Sequence, residues 1–243
     1  MKKLRTLTSA ALSLALFAGA AQAQKVLVLV TSAGSFPDGR QTGVWLEEFA
    51  TPYESLVRAG VEVTVVSPQG GAAPVDPRSA EKPEQVAAWQ DAEKALKHTK
   101  KLDDTVTVTD YDAIFIPGGH GPLFDLASNK KAAQLIAGFA EAGKPVASVC
   151  HGPAAFLDVK LSDGRPFVAG RKLTAFSDDE EQTAGLAKEV PYSVQQRLEA
   201  QGAQYSEGKQ FGVYTVVDGK LITGQNPASS AKVVELLIGE LKK

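Results

Sequence analysis

Four short apolar runs, rich in β-branched residues, alternate along the chain with segments whose apolar residues recur at helical spacing. The runs are KVLVLVT (25–31), VEVTVVS (61–67), AIFIP (113–117) and PVASVC (145–150). Such runs are typical of strands that are buried on both faces in a parallel sheet. Parallel strands need crossover connections, usually helices, and these cover the two faces of the sheet. We therefore predict an α/β fold, a three-layer α/β/α sandwich around a mostly parallel sheet.

The segment between the first two runs predicts a helical crossover. Its apolar residues at helical spacing are Val44, Trp45, Phe49, Tyr53, Leu56 and Val57. Proline is unfavourable inside a helix, but Thr51-Pro52-Tyr53-Glu54 has the pattern of an N-cap, a first-turn proline and a capping-box glutamate. We therefore predict two helical pieces, the first ending at Glu47 and Glu48.

Residues 69–104 differ from the rest of the chain because they are rich in proline, glycine and charge. We predict that they form an insertion covering the core. Val86, Trp89 and Leu96 indicate one amphipathic helix within it, near 84–97. Residues 24–243, about 220 in number, are within the range of one large domain.

The second half of the chain repeats the alternation of strand and helix. A helix is predicted over 129–142, with Ser128 as its cap and Gly143 at its end, and another over GPAAFL (152–157). KLTAF (172–176) and the Asp-Gly hairpin VYTVVDGKLITG (213–224) predict further strands, and a last helix follows Asn226-Pro227. These elements complete the sandwich.

The first 23 residues predict a secretory signal peptide. MKKLRTLTSAALSLALFAGAAQA begins with three cations, continues with an uncharged apolar run and ends in A-Q-A, so that cleavage is expected before Gln24. The apolar run is shorter than the roughly 20 residues that span a bilayer. We expect a mature chain in the periplasm or medium of a bacterium, without membrane attachment. Loss of the three cations would change the formal net charge from −2 to −5, which argues against nucleic acid as a partner.

Cys150 is the only cysteine of the chain, and it lies between a predicted strand and a predicted helix, beside His151. A lone cysteine is most often a small buried apolar residue. This one, however, occupies the place where α/β folds bind ligands and where a nucleophile elbow presents its side chain, with the small residues Ser148 and Gly152 on either side. We expect the helix N-terminus to lower the thiol pKa, and a buried, protonated glutamate to favour the thiolate further.

Four segments together resemble the DJ-1/PfpI superfamily, which has a class I glutamine amidotransferase-like fold. They are TGVWLEE (42–48), IPGGHGPLFDL (116–126), VASVCHGPAAFL (146–157) and TGQNPAS (223–229). The branch they resemble contains heat-shock-induced chaperones and glutathione-independent glyoxalase III enzymes. The resemblance covers nearly the whole mature chain. It implies a flavodoxin-like sheet with a nucleophile elbow, and homodimers are common among such proteins.

The resemblance also implies roles for particular residues. Cys150 corresponds to the nucleophile, His151 to the adjacent base and Glu48 to the protonated glutamate beside the sulfur. Glu47 is the alternative to Glu48 by sequence. The backbone N–H groups of Gly119 and His151 are implied as the oxyanion hole.

A third acidic residue, which orients the histidine, is implied within FSDDEE (176–181). Spacing favours Glu181, and Asp178 and Glu180 remain alternatives. His120 either packs over the site or binds substrate, whereas His98 is expected on a solvated helix surface. The loop at Gly119 lacks the Lys-Ser/Thr of a phosphate-binding loop, and the scattered histidines do not predict zinc.

The activity implied is that of a glyoxalase of type III, also called a D-lactate dehydratase. Such an enzyme converts methylglyoxal or a similar 2-oxoaldehyde to a 2-hydroxy acid through a cysteine hemithioacetal, without metal, nucleotide or glutathione. Alternatives of other classes are a stress-response holdase chaperone that binds unfolded proteins, a deglycase of glycated proteins and a cysteine-based oxidation sensor. Peptidase or amidotransferase activity ranks below these.

Overall fold

The structure is a computed structural model that describes residues 23–81, 87 and 89–243 of the 243-residue chain. The signal peptide predicted for residues 1–23 therefore lies outside the described residues except for Ala23. Among the residues that are described, no helix has the length and apolar character needed to cross a membrane.

Nine strands are formed by the described residues, and seven of them make one sheet. They are β1 (Lys25–Leu29), β2 (Glu62–Ser67), β3 (Lys100–Lys101), β4 (Ala113–Ile116), β5 (Val146–Val149), β6 (Lys172–Leu173), β7 (Gln204–Tyr205), β8 (Thr215–Asp218) and β9 (Leu221–Gly224). The order in the large sheet is β3-β2-β1-β4-β5-β9-β8, and all neighbours are parallel except β8 and β9. The sequence-predicted mostly parallel sheet is confirmed.

Five of the strands, β2-β1-β4-β5-β9, follow the flavodoxin-like order 2-1-3-4-5. When these five are numbered along the chain, β1 is the first and β2 the second, and β4, β5 and β9 are the third to the fifth. The order reverses between β1 and β4. In open α/β sheets, ligands bind outside the carboxyl ends of the strands near such a reversal. The segments that follow β1, β4 and β5 therefore meet where a site is expected.

Seven α-helices belong to the described residues. They are α1 (Leu46–Arg58), α2 (Gln90–Leu96), α3 (Pro122–Asp125), α4 (Lys130–Glu141), α5 (Asp178–Thr183), α6 (Val194–Ala200) and α7 (Ser230–Leu241). Side chains of α1 and α7 share one apolar cluster, while those of α4 and α6 share another. These clusters lie on opposite faces of the sheet and form the outer layers of the sandwich.

The two faces of β1 show why the sheet is buried on both sides. Leu27 and Leu29 belong to the cluster with α4, whereas Val26, Val28 and Val30 belong to the cluster with α1. All five are at most 1% exposed. Because successive side chains of a strand point to opposite faces, a continuous apolar run is what a central strand in three layers requires.

The prediction of two helical pieces in the first crossover is wrong. One helix, α1, runs through Pro52, and Glu47 and Glu48 lie in its first turn rather than at its end. Pro52 has no N–H to donate to the Glu48 carbonyl four residues earlier. Burial along one face of α1, by Leu46, Phe49, Ala50 and Leu56, offsets this loss and keeps the helix continuous.

Two other predicted boundaries also need correction. The cap of α4 is Asn129 rather than Ser128, since Asn129 Oδ1 accepts from the N–H groups of Lys131 and Ala132, each at 3.1 Å. GPAAFL forms a short 3₁₀ helix over Gly152–Phe156 rather than an α-helix.

KLTAF contributes only β6, which pairs with β7 in a separate two-stranded sheet. The predicted hairpin is present as β8 and β9, with Gly219 at a φ of 61° in its turn.

The described residues of the segment 69–104 lie against α1 and also reach the carboxyl edge of the sheet. Trp89, Ala92 and Leu96 pack on the cluster that contains α1, which agrees with a covering role, although Val86 lies outside the described residues. The described part of its helix, α2, is shorter than the predicted 84–97. The segment also supplies the edge strand β3 and a 3₁₀ helix over Pro77–Ala80, neither of which the sequence indicated. His98 is exposed, as expected.

Candidate active site

Cys150 follows β5 directly and has a backbone φ of 59°, in the left-handed region that is unfavourable for residues with a side chain. Its N–H donates to the carbonyl of Gly224 at 2.9 Å, and its own carbonyl accepts from the N–H of Phe176 at 2.9 Å. These two bonds hold the strained residue from both sides. The geometry is that of a nucleophile elbow at the carboxyl end of a central strand.

Small residues around Cys150 make this turn possible. A Cβ on Gly152 would lie 2.4 Å from both the carbonyl oxygen of Ile116 and Ser148 Oγ, so no larger residue fits there. Ser148 stands where the usual elbow pattern has its first glycine. Its hydroxyl donates to the Ile116 carbonyl at 2.9 Å, which joins β5 to β4 beneath the thiol.

A pocket of about 150 Å³ opens above Cys150. Its polar floor is formed by Gly119, His120, Cys150 and His151, and Arg78 contributes a cation. The apolar walls are Trp45, Phe176, Ala184, Leu186, Phe211 and Pro227. Trp45, one of the apolar residues of the predicted first crossover, is thus a wall of the pocket. A larger cavity, of about 600 Å³, lies at the amino ends of the strands, by Lys25 and Glu62, and has neither the thiol nor a histidine in its lining.

His151 is connected to both the thiol and an acid. Its Nδ1 lies 3.3 Å from Cys150 Sγ, and its Nε2 lies 2.6 Å from Glu181 Oε2. Burial alone would raise the pKa of Glu181, but the charge and hydrogen bonds of His151 and His120 hold it well below its usual value. Glu181 is therefore an anion that can orient His151 and stabilise it when it gains a proton.

The two alternative acids have other partners. Asp178 accepts hydrogen bonds from Ser193 Oγ and Gln196 Nε2, both at 2.5 Å, and does not reach His151. Glu180 is fully buried and forms a capping box with Ser177 at the start of α5. The structure therefore brings Glu181, and not Asp178 or Glu180, to the histidine.

Glu48 reaches the site from the first turn of α1, fully buried. Its Oε2 accepts the N–H of Gly118 at 2.8 Å, while Oε1 is buried without a formal hydrogen-bond partner. Burial raises the pKa of Glu48 to about 8, against the lowering effects of Cys150 and the Gly118 N–H. The carboxyl thus keeps its proton at neutral pH, as the resemblance implied. Glu47, the alternative by sequence, is only half-buried.

The thiol pKa differs from the sequence expectation of a lowered value. Cys150 is 4% exposed, and burial raises the pKa of its thiol well above the ordinary value, which an ionised Glu48 would raise further. The backbone N–H groups of Gly119 and His151 act in the opposite direction, but burial outweighs them. Both of these groups face the sulfur, at the place implied for the oxyanion hole.

His120 contacts the other side of Glu181. Its Nε2 lies 2.8 Å from Glu181 Oε1, and its ring centroid is 4.2 Å from that of His151. Burial and the charge of His151 lower the pKa of His120 to about 4. Arg78 Nη2 lies 3.2 Å from His120 Nδ1. The sequence left the role of His120 open and did not indicate Arg78, since an arginine in a proline-rich insertion has no recognisable motif.

Among the described residues, His120, His151 and Glu181 are the cluster close enough to share a cation, with candidate atoms within 4.8 Å of one another. Two histidines and one carboxylate are a donor set that zinc accepts. Each imidazole Nε2, however, is already hydrogen-bonded to its own oxygen of Glu181. We assign no metal here, and the expectation of a metal-independent site stays a prediction.

Similar proteins include fungal glyoxalases. The chain is 32% identical to Glyoxalase 3 of Candida albicans over 229 residues, which are 88% of this chain and 97% of the relative. It is 31% identical to the glutathione-independent glyoxalase HSP31 of Saccharomyces cerevisiae, over 90% of this chain and 98% of that one.

Solved structures show the same fold. Glyoxalase III from Candida albicans superimposes with a TM-score of 0.80 at 32% identity, covering 89% of this chain and 96% of that one. The Rapid Encystment Protein 24 KDa of Francisella tularensis gives 0.84 at 30% identity, covering 90% and 99%. A sequence model of the DJ-1/PfpI family matches residues 41–239, a range that contains every residue of the site described above. The chain therefore belongs to the DJ-1/PfpI family.

Proposed function

We propose that this protein is a glutathione-independent glyoxalase that converts methylglyoxal and similar 2-oxoaldehydes to 2-hydroxy acids. The observation that carries the proposal is the grouping of three functions around one sulfur. Cys150 and His151 line the pocket, Glu181 is hydrogen-bonded to His151 on the far side of its ring, and the protonated Glu48 lies beside the thiol. The names of the fungal relatives support the same activity. A thiol, a base and a neutral acid are the groups that this reaction needs.

The first step is addition of the thiol to the aldehyde carbon, C1. Because burial raises the thiol pKa, the S–H proton passes to His151 Nδ1, 3.3 Å from the sulfur, as the C–S bond forms. The resulting imidazolium is stabilised by Glu181. The aldehyde oxygen develops its charge beside the N–H groups of Gly119 and His151, and then takes the proton from His151 to give a neutral hemithioacetal.

The second step moves hydrogen from C1 to C2. His151 removes the C1 proton while Glu48 donates its own proton to the C2 carbonyl oxygen, which gives an enediol. His151 returns a proton to C2, and the C1 hydroxyl proton restores Glu48. The product is a thioester next to a secondary alcohol, and no electrons leave the substrate. The high pKa of Glu48, about 8, suits an acid that must be neutral at the start of this step.

The third step is hydrolysis of the thioester. Water adds to the carbonyl with His151 as base, the sulfur leaves as the C–S bond breaks, and it recovers a proton from His151. The net reaction adds one water molecule to one 2-oxoaldehyde and gives one 2-hydroxy acid. A pocket of about 150 Å³ suits a small aldehyde better than a bulky conjugate.

We also propose that the protein is exported. The basic start, apolar run and A-Q-A site of residues 1–23 support this. Fractionation of bacterial cells that express the full-length chain, with N-terminal sequencing of the mature protein, tests the proposal. A chain retained in the cytosol with Met1 or Lys2 at its start would contradict it.

The decisive experiment for the activity uses the purified protein, methylglyoxal and no glutathione, with lactate measured as product. We expect turnover in the wild type and none in Cys150→Ser. The exposed Val213 offers a control, since Val213→Ala should retain wild-type turnover. Equal turnover in Cys150→Ser, or consumption of aldehyde without lactate, would exclude the proposed reaction. Holdase, deglycase and sensor functions stay predictions that no observation on this structure favours.

A further inference from the structure

Arg78 lines the pocket but takes no part in the proposed reaction steps, and its guanidinium is fixed in place by hydrogen bonds. Its Nε and Nη2 donate to the two oxygens of Asp76, at 2.9 and 2.5 Å. Asp76 is fully buried and also accepts from Thr42 Oγ1 at 2.9 Å. The guanidinium therefore has one orientation, although its side chain is 35% exposed.

This orientation directs Nη2 of Arg78 at Nδ1 of His120, 3.2 Å away. A guanidinium only donates hydrogen bonds. Nδ1 of His120 must therefore carry the lone pair, and the ring proton must be on Nε2. That Nε2–H donates to Glu181 Oε1, at 2.8 Å.

The tautomer of His120 in turn affects His151. Glu181 has one negative charge, and each of its two oxygens is hydrogen-bonded to a different histidine, Oε1 to His120 and Oε2 to His151. If His120 were an imidazolium, it would neutralise Glu181, and His151 would gain less from that acid when it takes the thiol proton. The charged or titratable groups around His120 are Arg78, Glu181 and His151, with Asp76 and Cys150 beyond them. Among the residues that the structure describes, the hydrogen-bond partner of Nδ1, the atom that would have to be protonated, is Arg78.

We propose that Arg78, fixed by Asp76, is a positioning residue that holds His120 as the neutral Nε2–H tautomer and so reserves the charge of Glu181 for His151. The expected effect of Arg78 on turnover rests on the proposed glyoxalase function. The expected effect of Arg78 on the tautomer of His120 does not. The charge of Arg78 also contributes to the low pKa of His120. Without Arg78, Nδ1 of His120 no longer faces a cation and can take up a second proton.

The test is nitrogen NMR of the imidazole rings in the full protein, combined with the pH profile of turnover. The chain has three histidines, and His98→Gln identifies the exposed one. In the wild type, we expect His120 Nδ1 to be unprotonated between about pH 5 and pH 8. In Arg78→Met, burial and His151 still oppose a charged His120. We therefore expect His120 Nδ1 to take up a proton at a higher pH than in the wild type, and the acid limb of kcat to move upward by about one pH unit, which is roughly a tenfold loss of kcat at the acid end.

Two further variants serve as controls. Arg40 also lies over the Phe36 ring, at 5.4 Å compared with 5.8 Å for Arg78, but its ionic partners are Asp38 and Glu189. Arg40→Met should leave both the His120 signals and the acid limb unchanged. Arg78→Lys keeps a donor and a charge, and should restore most of the neutral form.

The outcomes are distinguishable. A protonated His120 Nδ1 in the wild type would overturn the proposal even if Arg78→Met did not fold. So would an unchanged His120 signal and acid limb in a folded Arg78→Met. The wild type could lack turnover and still show the expected His120 tautomer, with that tautomer lost in Arg78→Met. This result would support the positioning of His120 and would count against the glyoxalase function alone.

Discussion

The N–H of Gly118 donates to Glu48 Oε2 at 2.8 Å, which joins the loop after β4 to the first turn of α1 at a buried carboxyl. This contact leaves no space for a side chain on Gly118, because a Cβ there would lie 2.8 Å from Glu48 Oε2 and 2.9 Å from Cys150 Cβ. The acid is thus held against the nucleophile by backbone on one side and by its helix on the other.

Glu48→Gln should abolish most of the turnover without unfolding the protein. The amide can still accept the Gly118 N–H through its oxygen, but it cannot donate a proton to the C2 oxygen. General acid–base groups contribute typically about 10²- to 10⁴-fold, so we expect kcat to fall by at least about a hundredfold. Steady-state kinetics with methylglyoxal checks this. A kcat within threefold of the wild type would show that Glu48 is not the acid.

The same substitution should increase stability at alkaline pH. The folded-state pKa of Glu48, about 8, is above its unfolded value. The folded state therefore binds the proton more tightly, and the stability that the proton contributes is lost as pH rises from the unfolded pKa through about 8. Glu48→Gln has no such loss. We expect both proteins to unfold alike near pH 4 and the variant to be more stable by an amount on the order of a few kcal/mol at pH 9, measured by urea denaturation. A difference that does not grow with pH would contradict the raised pKa.

Glu181 and Asp178 make a matched pair of acidic residues on one helix. Glu181→Gln removes the anion at 2.6 Å from His151 Nε2, so we expect kcat to fall by about a hundredfold with little change in KM. Asp178→Asn alters only contacts with Ser193 and Gln196, and should keep kcat within about twofold. If the two variants lost the same activity, the assignment of the orienting acid would be wrong.

Alkylation of Cys150 by iodoacetamide should show a thiol that is hard to ionise. Because burial raises the thiol pKa, we expect the rate to keep rising above about pH 9, past the ordinary midpoint near 8.5. The single cysteine makes the reaction unambiguous. A midpoint below about pH 7 would instead support the thiolate that the sequence alone suggested.

Phe211 should influence which aldehydes the pocket accepts. Its side chain is 47% exposed at a backbone φ of 53°, and its N–H is held by the buried Glu180 at 2.7 Å. We expect Phe211→Ala to raise KM for phenylglyoxal by about fivefold, because an aromatic contact is worth on the order of 1 kcal/mol, and to raise KM for methylglyoxal much less. Val213→Ala is the control, since Val213 is 64% exposed and does not line the pocket. Equal effects on both substrates would exclude a role in selectivity.

Much of the fold could be predicted because the strands of a three-layer sandwich are buried on both faces and are joined by helices. In the sequence, these strands are apolar runs, and the helices are the segments between them with apolar residues at helical spacing. The error at Pro52 has a physical cause. The sequence around it satisfies the local requirements of a helix start, but the burial of Leu46, Phe49 and Leu56 on one face depends on the whole crossover, and no window of four residues contains that information.

The site was predictable in part for a similar reason. Cys150, His151 and Glu48 belong to motifs that follow strands, so that topology alone brings them together. Among the acids, Ser177 and Glu180 have the spacing of a capping box, a pattern that would have removed Glu180 from the alternatives. Arg78 could not be found, because its position depends on how the insertion folds over His120.

The insertion has a consequence for how such a protein diverges. The thiol is presented by the central sheet, whereas Asp76 and Arg78 come from the segment 69–104, and Arg78 lines the pocket. Substitutions at Asp76 and Arg78 would alter the charges around His120, whereas the elbow that presents Cys150 is held by other residues, so the charge around the site and the presentation of the thiol depend on different parts of the chain. The two properties can therefore evolve at separate rates.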